Sequence, residues 1–219
     1  MDMTARRAGN WIAGALILSV VTQIIYMATL GGPSASDPAI GVTQDDRVRY
    51  FTERWPEIAA VWMTELAAAL AMSTAALIVL VQRVPAPGAW AALLLAGLAN
   101  TVQIAMGLAM FRPAATAGAE LEPVLTVVIQ GAFFFYFLAK VLIGLAGIGL
   151  GLALWGRATG MAKVIALAAI AVGAVAAAVN ILALPQAMML VFPAGATGTA
   201  AALTTGLAAL FVARLPAAR

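Results

Sequence analysis

The chain has 219 residues, 64% of them apolar and 10% charged, and 12 Lys/Arg against 9 Asp/Glu leave a net charge of +3. A soluble domain carries roughly 25% charged residues, so this composition excludes one and leaves length for about six spans of ~20 residues. There is no cysteine and no histidine, which excludes disulfides, thiolate metal sites, thiol nucleophiles, the usual haem ligand and the usual general base.

The expected fold is all-α: a polytopic membrane helical bundle of six transmembrane helices, one domain over 1–219. Arg6 and Arg7 precede an apolar run from Trp11 to Leu30. A signal peptide is the alternative reading. The run is too long for a typical h-region, and Tyr26-Met27-Ala28-Thr29-Leu30 offers no clean small-x-small cleavage site, so a retained first span over about 10–31 is preferred. Residues 32–56 form the one sizeable polar loop, broken by Pro33, Pro38 and Gly41. Within it, Thr43-Gln44-Asp45-Asp46 reads as a helix N-cap followed by acidic residues. Val48, Phe51 and Trp55 recur on one face, so a short amphipathic helix near 43–55 is expected in the interface over one mouth of the bundle.

Pro56 fits the start of span two, about 57–83. Pro85-Ala86-Pro87-Gly88 is a tight connection to span three, about 88–111. A loop from Arg112-Pro113 to Glu122-Pro123 leads to span four, about 123–155. Gly156 to Gly160 is a short turn before span five, about 161–184. Pro185 to Pro193 reads as an apolar, re-entrant loop before span six, about 194–213.

Lys/Arg placement sets the orientation. Arg6, Arg7, Arg83, Arg157, Lys163, Arg214 and Arg219 gather on one side. On the other, Arg47, Arg49, Arg54 and Arg112 are outweighed by Asp37, Asp45, Asp46, Glu53, Glu57, Glu120 and Glu122. The expectation is a cytoplasmic (inner) membrane with both termini cytoplasmic and the long loop outside. The charge is divided by side rather than gathered into a nucleic-acid patch, so nucleic acid is not an expected partner.

Two ionisable residues lie deep in apolar runs: Glu65 in span two and Lys140 in span four. A lone ammonium in hydrocarbon costs at least ~3 kcal/mol, so Lys140 is expected to face the bundle interior and to pair with Glu65. Gln23, Glu65, Asn100, Lys140, Asn180 and Thr197 each stand about 17 residues from a basic residue of the inner side, roughly 24–27 Å at the helical rise. One polar layer in the outer half of the membrane follows, which predicts a shared cavity. Trp62, Gln103, Gln130 and Tyr136 join these as candidate binding residues, with Glu65 and Lys140 as the candidate catalytic pair. The competing reading of the amides and hydroxyls is interhelical glue at about 0.6 kcal/mol each, and a purely structural ion pair competes for Glu65 and Lys140.

Gln23-Ile24 and Gln103-Ile104 are each followed at the same offset by a proline, Pro33 and Pro113, and Asn180-Ile181 leads more loosely to Pro185 and Pro193. This hints at three tandem helical hairpins. Gly147 and Gly151 form a GxxxG face read as packing. The aromatic run Phe133–Phe137 either lines an apolar pocket, with cation–π contact, or faces lipid.

The basic N-terminus, the long first loop, Arg54-Trp55-Pro56 and Asn100-Thr101-Val102-Gln103 resemble small bacterial multi-pass integral membrane proteins of an unknown-function family. That resemblance implies a membrane fold and no activity. In size and logic the chain is also similar to membrane-bound terpene cyclases, which use intramembrane carboxylates as acids. Those usually have seven spans and a second acidic residue late in the chain, and spans five and six here contain none.

The expected function is binding of a lipophilic or amphiphilic small molecule, or service as an accessory subunit, with Glu65, Lys140 and the amides orienting the polar end. The alternative is an enzyme using Glu65 as general acid/base on an isoprenoid or lipid, and a transporter is third. Membrane lipids, a lipophilic small molecule, and a membrane protein or a second copy are the expected partners. No cofactor is expected. The chain has no P-loop, Asp-rich metal motif or GxSxG.

Overall fold

Long alanine-, leucine- and valine-rich runs bounded by proline and glycine give a chain that, among the described residues, is helical wherever it is regular and holds no strand. A computed structural model describes residues 3–215; Arg219, assigned above to the basic side, lies outside the described residues. The helices are α1 (Met3–Ile25), α2 (Gln44–Glu53), α3 (Trp55–Val81), α4 (Pro87–Met106), α5 (Arg112–Thr116), α6 (Glu122–Trp155), α7 (Met161–Ala183) and α8 (Val191–Val212). Among the described residues, six helices are long and apolar enough to cross a membrane, with mean hydropathy from 1.4 to 2.5. Proline in the first turn of α3, α4 and α6 starts each without sacrificing a helical hydrogen bond.

Each long helix packs on its neighbour in the chain, α8 returns to α1, and α6 also reaches across to α8. The expected hairpins α1–α3, α4–α6 and α7–α8 all form, but they are not equivalent. The extra α6–α8 contact leaves α7 on the outside, and α6 is the central helix, 61% buried against 33–44% for the others. Glycine makes this approach possible. A Cβ on Gly144 would lie 2.6 Å from the Gly173 carbonyl oxygen, and one on Gly151 would lie 2.7 Å from that of Ala166. Gly147 faces the Thr205 hydroxyl, which itself donates to the Ile143 carbonyl at 3.3 Å. The small-residue face of α6 therefore serves packing, as expected.

At the acidic end, α2 covers the bundle. Thr43 caps it in a reciprocal box with Asp46. The face it buries is Asp46, Tyr50 and Phe51 rather than Val48, Phe51 and Trp55. Trp55 opens α3 instead, because the chain bends at Arg54 and restarts on Pro56. The third span also continues beyond its expected end: the helical chain runs to Thr116, with Pro113 in the first turn of α5 and so no obstacle. The segment after α7 is a single 3-10 turn, Ala187–Leu190, leading straight into α8. It is not re-entrant, and Pro193 sits in the first helical turn.

Two π-helical turns interrupt the acidic ends of the first and third spans, Tyr26–Leu30 and Gly107–Phe111. They begin shortly after Gln23 and Gln103, so the repeat seen in the sequence has a structural counterpart in these two helices. Both turns grip Trp62. Tyr26 stacks on its ring at 5.9 Å, Phe111 meets it edge-on at 5.6 Å, and a Cβ on Gly107 would lie 2.6 Å from Trp62 Cζ3. Tyr26 and Tyr50 share a hydrogen bond between hydroxyls at 3.1 Å, and burial raises the Tyr50 phenol above its ordinary pKa.

At the basic end, the α3–α4 turn carries two left-handed non-glycine residues, Arg83 (φ 55°) and Ala86 (φ 68°). Such residues cost roughly 1–2 kcal/mol each. The turn is held by Trp90, fully buried, whose indole N–H donates to the Pro85 carbonyl at 2.8 Å.

Candidate functional site

Near mid-bundle, four helices converge on a buried polar relay. α1 supplies Ser19 and Gln23, α3 supplies Glu65, α6 supplies Lys140 and α8 supplies Thr199. The Ser19 hydroxyl and Gln23 Nε2 both donate to Glu65 Oε1 at 3.1 Å. Gln23 Oε1 in turn accepts from Lys140 Nζ and from the Thr199 hydroxyl, each at 3.1 Å. Glu65 and Lys140 therefore do not pair directly, and among the described residues no ion pair joins them. The expectation of direct contact is corrected by helix placement: α3 packs on α1 and α4, whereas α6 packs on α4, α7 and α8. The two charges sit at compatible heights but across the ring, and the amide of α1 spans the gap.

The charged ends are covered, Glu65 at 8% exposure and Lys140 at 1%. An isolated buried charge is costly, and the relay offsets this in two ways. Gln23 presents an acceptor to the ammonium and a donor to the carboxylate. Tyr136 lies one turn from Lys140, and its ring centre is 5.1 Å from Nζ, within cation–π range. The methylene stem of Lys140 runs over Gly198, where a Cβ would come 2.6 Å from Cδ. Phe137 is fully buried beside this arrangement, and Phe134 is exposed, so the aromatic run is divided between interior and periphery.

The remaining members of the predicted layer go elsewhere. Asn180 ties α7 to α8, donating to the Ala176 and Ala194 carbonyls at 2.9 and 3.2 Å. Thr197 bonds back to the Pro193 and Ala194 carbonyls of its own helix. Asn100 lines a void of about 10 Å³ with Ser19 and Met72, room for about one water. Gln103 Oε1 is buried without a hydrogen-bond partner among the described residues. Gln130 is exposed on the outside of α6. Trp62 belongs to the aromatic clasp. One shared cavity is thus replaced by a compact relay, an α7–α8 tie at Asn180 and polar groups that are satisfied within their own helix or stand apart. Depth along a helix gave the height of these groups; the direction in which each side chain leaves its helix divided them.

Ser19 and Thr199 are relay members that the sequence reading missed. Ser19 stands one helical turn before Gln23 and so shares its face. Thr199 follows Gly198, whose missing side chain marks the close approach of α8 to Lys140.

Chemically, the relay is a chain of exchangeable protons linking an acid to an amine inside an apolar bundle. Comparison with family models, curated proteins and solved structures finds no match, so its reading rests on geometry.

Proposed function

We propose that this is a multi-pass protein of a cytoplasmic membrane, both termini on the cytoplasmic side, that holds the polar end of a lipophilic or amphiphilic small molecule at the Glu65–Gln23–Lys140 relay. The basic residues at the end opposite α2 support the orientation. The observation that carries the function is the relay's uneven cover. Its charges are sealed, while Gln23, Tyr136 and Thr199 are only partly buried. A polar headgroup entering between the helices meets an amide, a phenol and a hydroxyl at the rim, with fixed charges behind them. A few convergent polar groups in apolar surroundings are the usual form of a small-molecule site. Native mass spectrometry of the detergent-purified protein tests this. A retained amphiphile is expected in the wild type and is expected to be lost in Glu65→Gln and Lys140→Met. Folded variants with the wild-type mass profile overturn the reading.

A second reading, an enzyme acting on an isoprenoid or lipid, is favoured by one detail. Both hydrogen bonds to Glu65 fall on Oε1, so Oε2 remains available for proton transfer to a bound molecule. Turnover of a prenyl substrate that is abolished in Glu65→Gln with binding retained would distinguish it from simple binding.

A further inference from the structure

At the basic end of the bundle, remote from the relay, the α3–α4 turn and the end of α6 enclose an open cleft of about 440 Å³. This falls within the roughly 300–1,000 Å³ typical of small-ligand sites. Its walls are apolar, with Leu80, Val84 and the turn prolines on one side and Ala153 on the other, and its charged lining residues are Arg83 and Arg157.

The sequence explains the shape. Gly149, Ala153 and Arg157 stand four residues apart on α6 and its end, so they share a face. Gly149 lets α4 approach at Ala89. Ala153 is too short to fill the space above, and Arg157 stands at the rim. The opposite wall is stiff, because Trp90 pins the Pro85 carbonyl and the backbone of Arg83 is fixed in the left-handed region.

Both arginines are exposed, and among the described residues neither guanidinium has a salt bridge or a hydrogen bond. Every described Asp and Glu lies within 37–65 or 120–122, in the relay or at the other end of the bundle. The neighbouring cation Lys163 is engaged elsewhere, 4.7 Å from the Trp155 ring centre. Two free guanidiniums therefore overhang an apolar trough at the level where a spanning helix meets headgroups.

We propose that this cleft binds an anionic phospholipid, with its phosphate between Arg83 and Arg157 and an acyl chain against Leu80, Val84 and Ala153. Guanidinium forks match phosphate oxygens in geometry and charge. The adjoining apolar wall requires the anion and the hydrocarbon in one molecule, which a free phosphate lacks. A choline headgroup brings its own cation towards the arginines. Basic pockets between helices are a recurrent lipid-binding form, and this one is independent of the relay.

The test is native mass spectrometry of the full chain in detergent, titrated with dioleoyl phosphatidylglycerol or dioleoyl phosphatidylcholine. The wild type is expected to retain the glycerol lipid preferentially. Arg83→Gln and Arg157→Gln are each expected to weaken that binding about fivefold. Lys163→Gln, with the same change of net charge, is expected to leave it intact. Arg157 lies beyond the end of α6, so its variant reports on the cleft independently of the strained turn, and lipid-free thermal unfolding verifies the fold of each. Equal retention of the two lipids overturns the proposal, as does a loss in Lys163→Gln matching that in Arg157→Gln. Displacement of the phospholipid by millimolar inorganic phosphate would assign the cleft to a free anion and overturns it equally.

Discussion

Gly198 lies directly against the stem of Lys140, close enough that a Cβ there would come 2.6 Å from Cδ and 2.7 Å from Cγ. Gly198→Ala must therefore shift the lysine. Overpacking of this kind costs about 1–3 kcal/mol, and the ammonium would lose its alignment with Gln23. A lowered melting temperature in detergent is expected, with Gly198→Val more severe. An unchanged melting temperature would show that the stem yields without cost.

Gln23→Leu removes the one side chain that joins the two charges, leaving both without that partner. Breaking a buried charged network by deleting one member costs about 3–5 kcal/mol. The triple variant that adds Glu65→Leu and Lys140→Met is expected to recover much of this loss. In a double-mutant cycle, Glu65→Gln and Lys140→Met are expected to couple by about 0.5–3 kcal/mol in the wild type and much less in the Gln23→Leu background. Equal coupling in both backgrounds would mean that the amide does not transmit it.

Gly173→Ala tests the seam between α6 and α7. A Cβ there would meet the Gly144 carbonyl oxygen at 2.5 Å and the Ile148 amide nitrogen at 3.2 Å. These are backbone atoms that cannot rotate away, so the helices must separate. The melting temperature is expected to fall further than in Gly14→Ala, where a Cβ finds open space.

The cover formed by α2 is expected to loosen in acid. The Ser36 hydroxyl, the Thr43 backbone amide and the Thr43 hydroxyl hold the Asp46 carboxyl well below the usual aspartate range, and Arg49 adds an ion pair at 2.8 Å. A depressed folded-state pKa stabilises the docked form above the ordinary value of ~3.9, and that contribution fades as pH falls below it. Hydrogen exchange over residues 33–50 is expected to accelerate in that window, and Asp46→Asn is expected to show faster exchange already at neutral pH. Exchange that is independent of pH there, once intrinsic rates are removed, would dismiss Asp46 as the latch.

The six long helices were legible because a run of ~20 apolar residues leaves a spanning helix as its main option. The N-cap of α2 was legible from Thr43 and the acidic residues after it, since such bonds close within one turn; that Asp46 bonds back to complete a box is a finding of the structure. Glu65 and Lys140 stood out as charges in apolar runs, and counting residues along each helix gave their heights. What the count lacked was neighbourhood. Nothing in spans two and four alone indicates that α1 and α8 lie between the charges, or that α7 is pushed outward and takes Asn180 with it. Gln23 entered the reading as one amide among several, and its central role comes from ring order, a long-range property. The π-helical turns were likewise hidden: they pack against Trp62, which arrives from another helix.

The two ends of the Gln23 amide are unlike, and that gives the arrangement a sense of direction. It fits an ionised acid on one side and a protonated amine on the other. If the proton passed from Lys140 to Glu65, the acid would still accept through its carbonyl oxygen and the amine would still donate, so the amide would keep its orientation while both hydrogen bonds lost their charge assistance. The protonation of two groups on different helices is thus recorded in the strength of the hydrogen bonds at the two ends of one neutral side chain, a signal readable by its vibrational frequency or its nitrogen-15 shift.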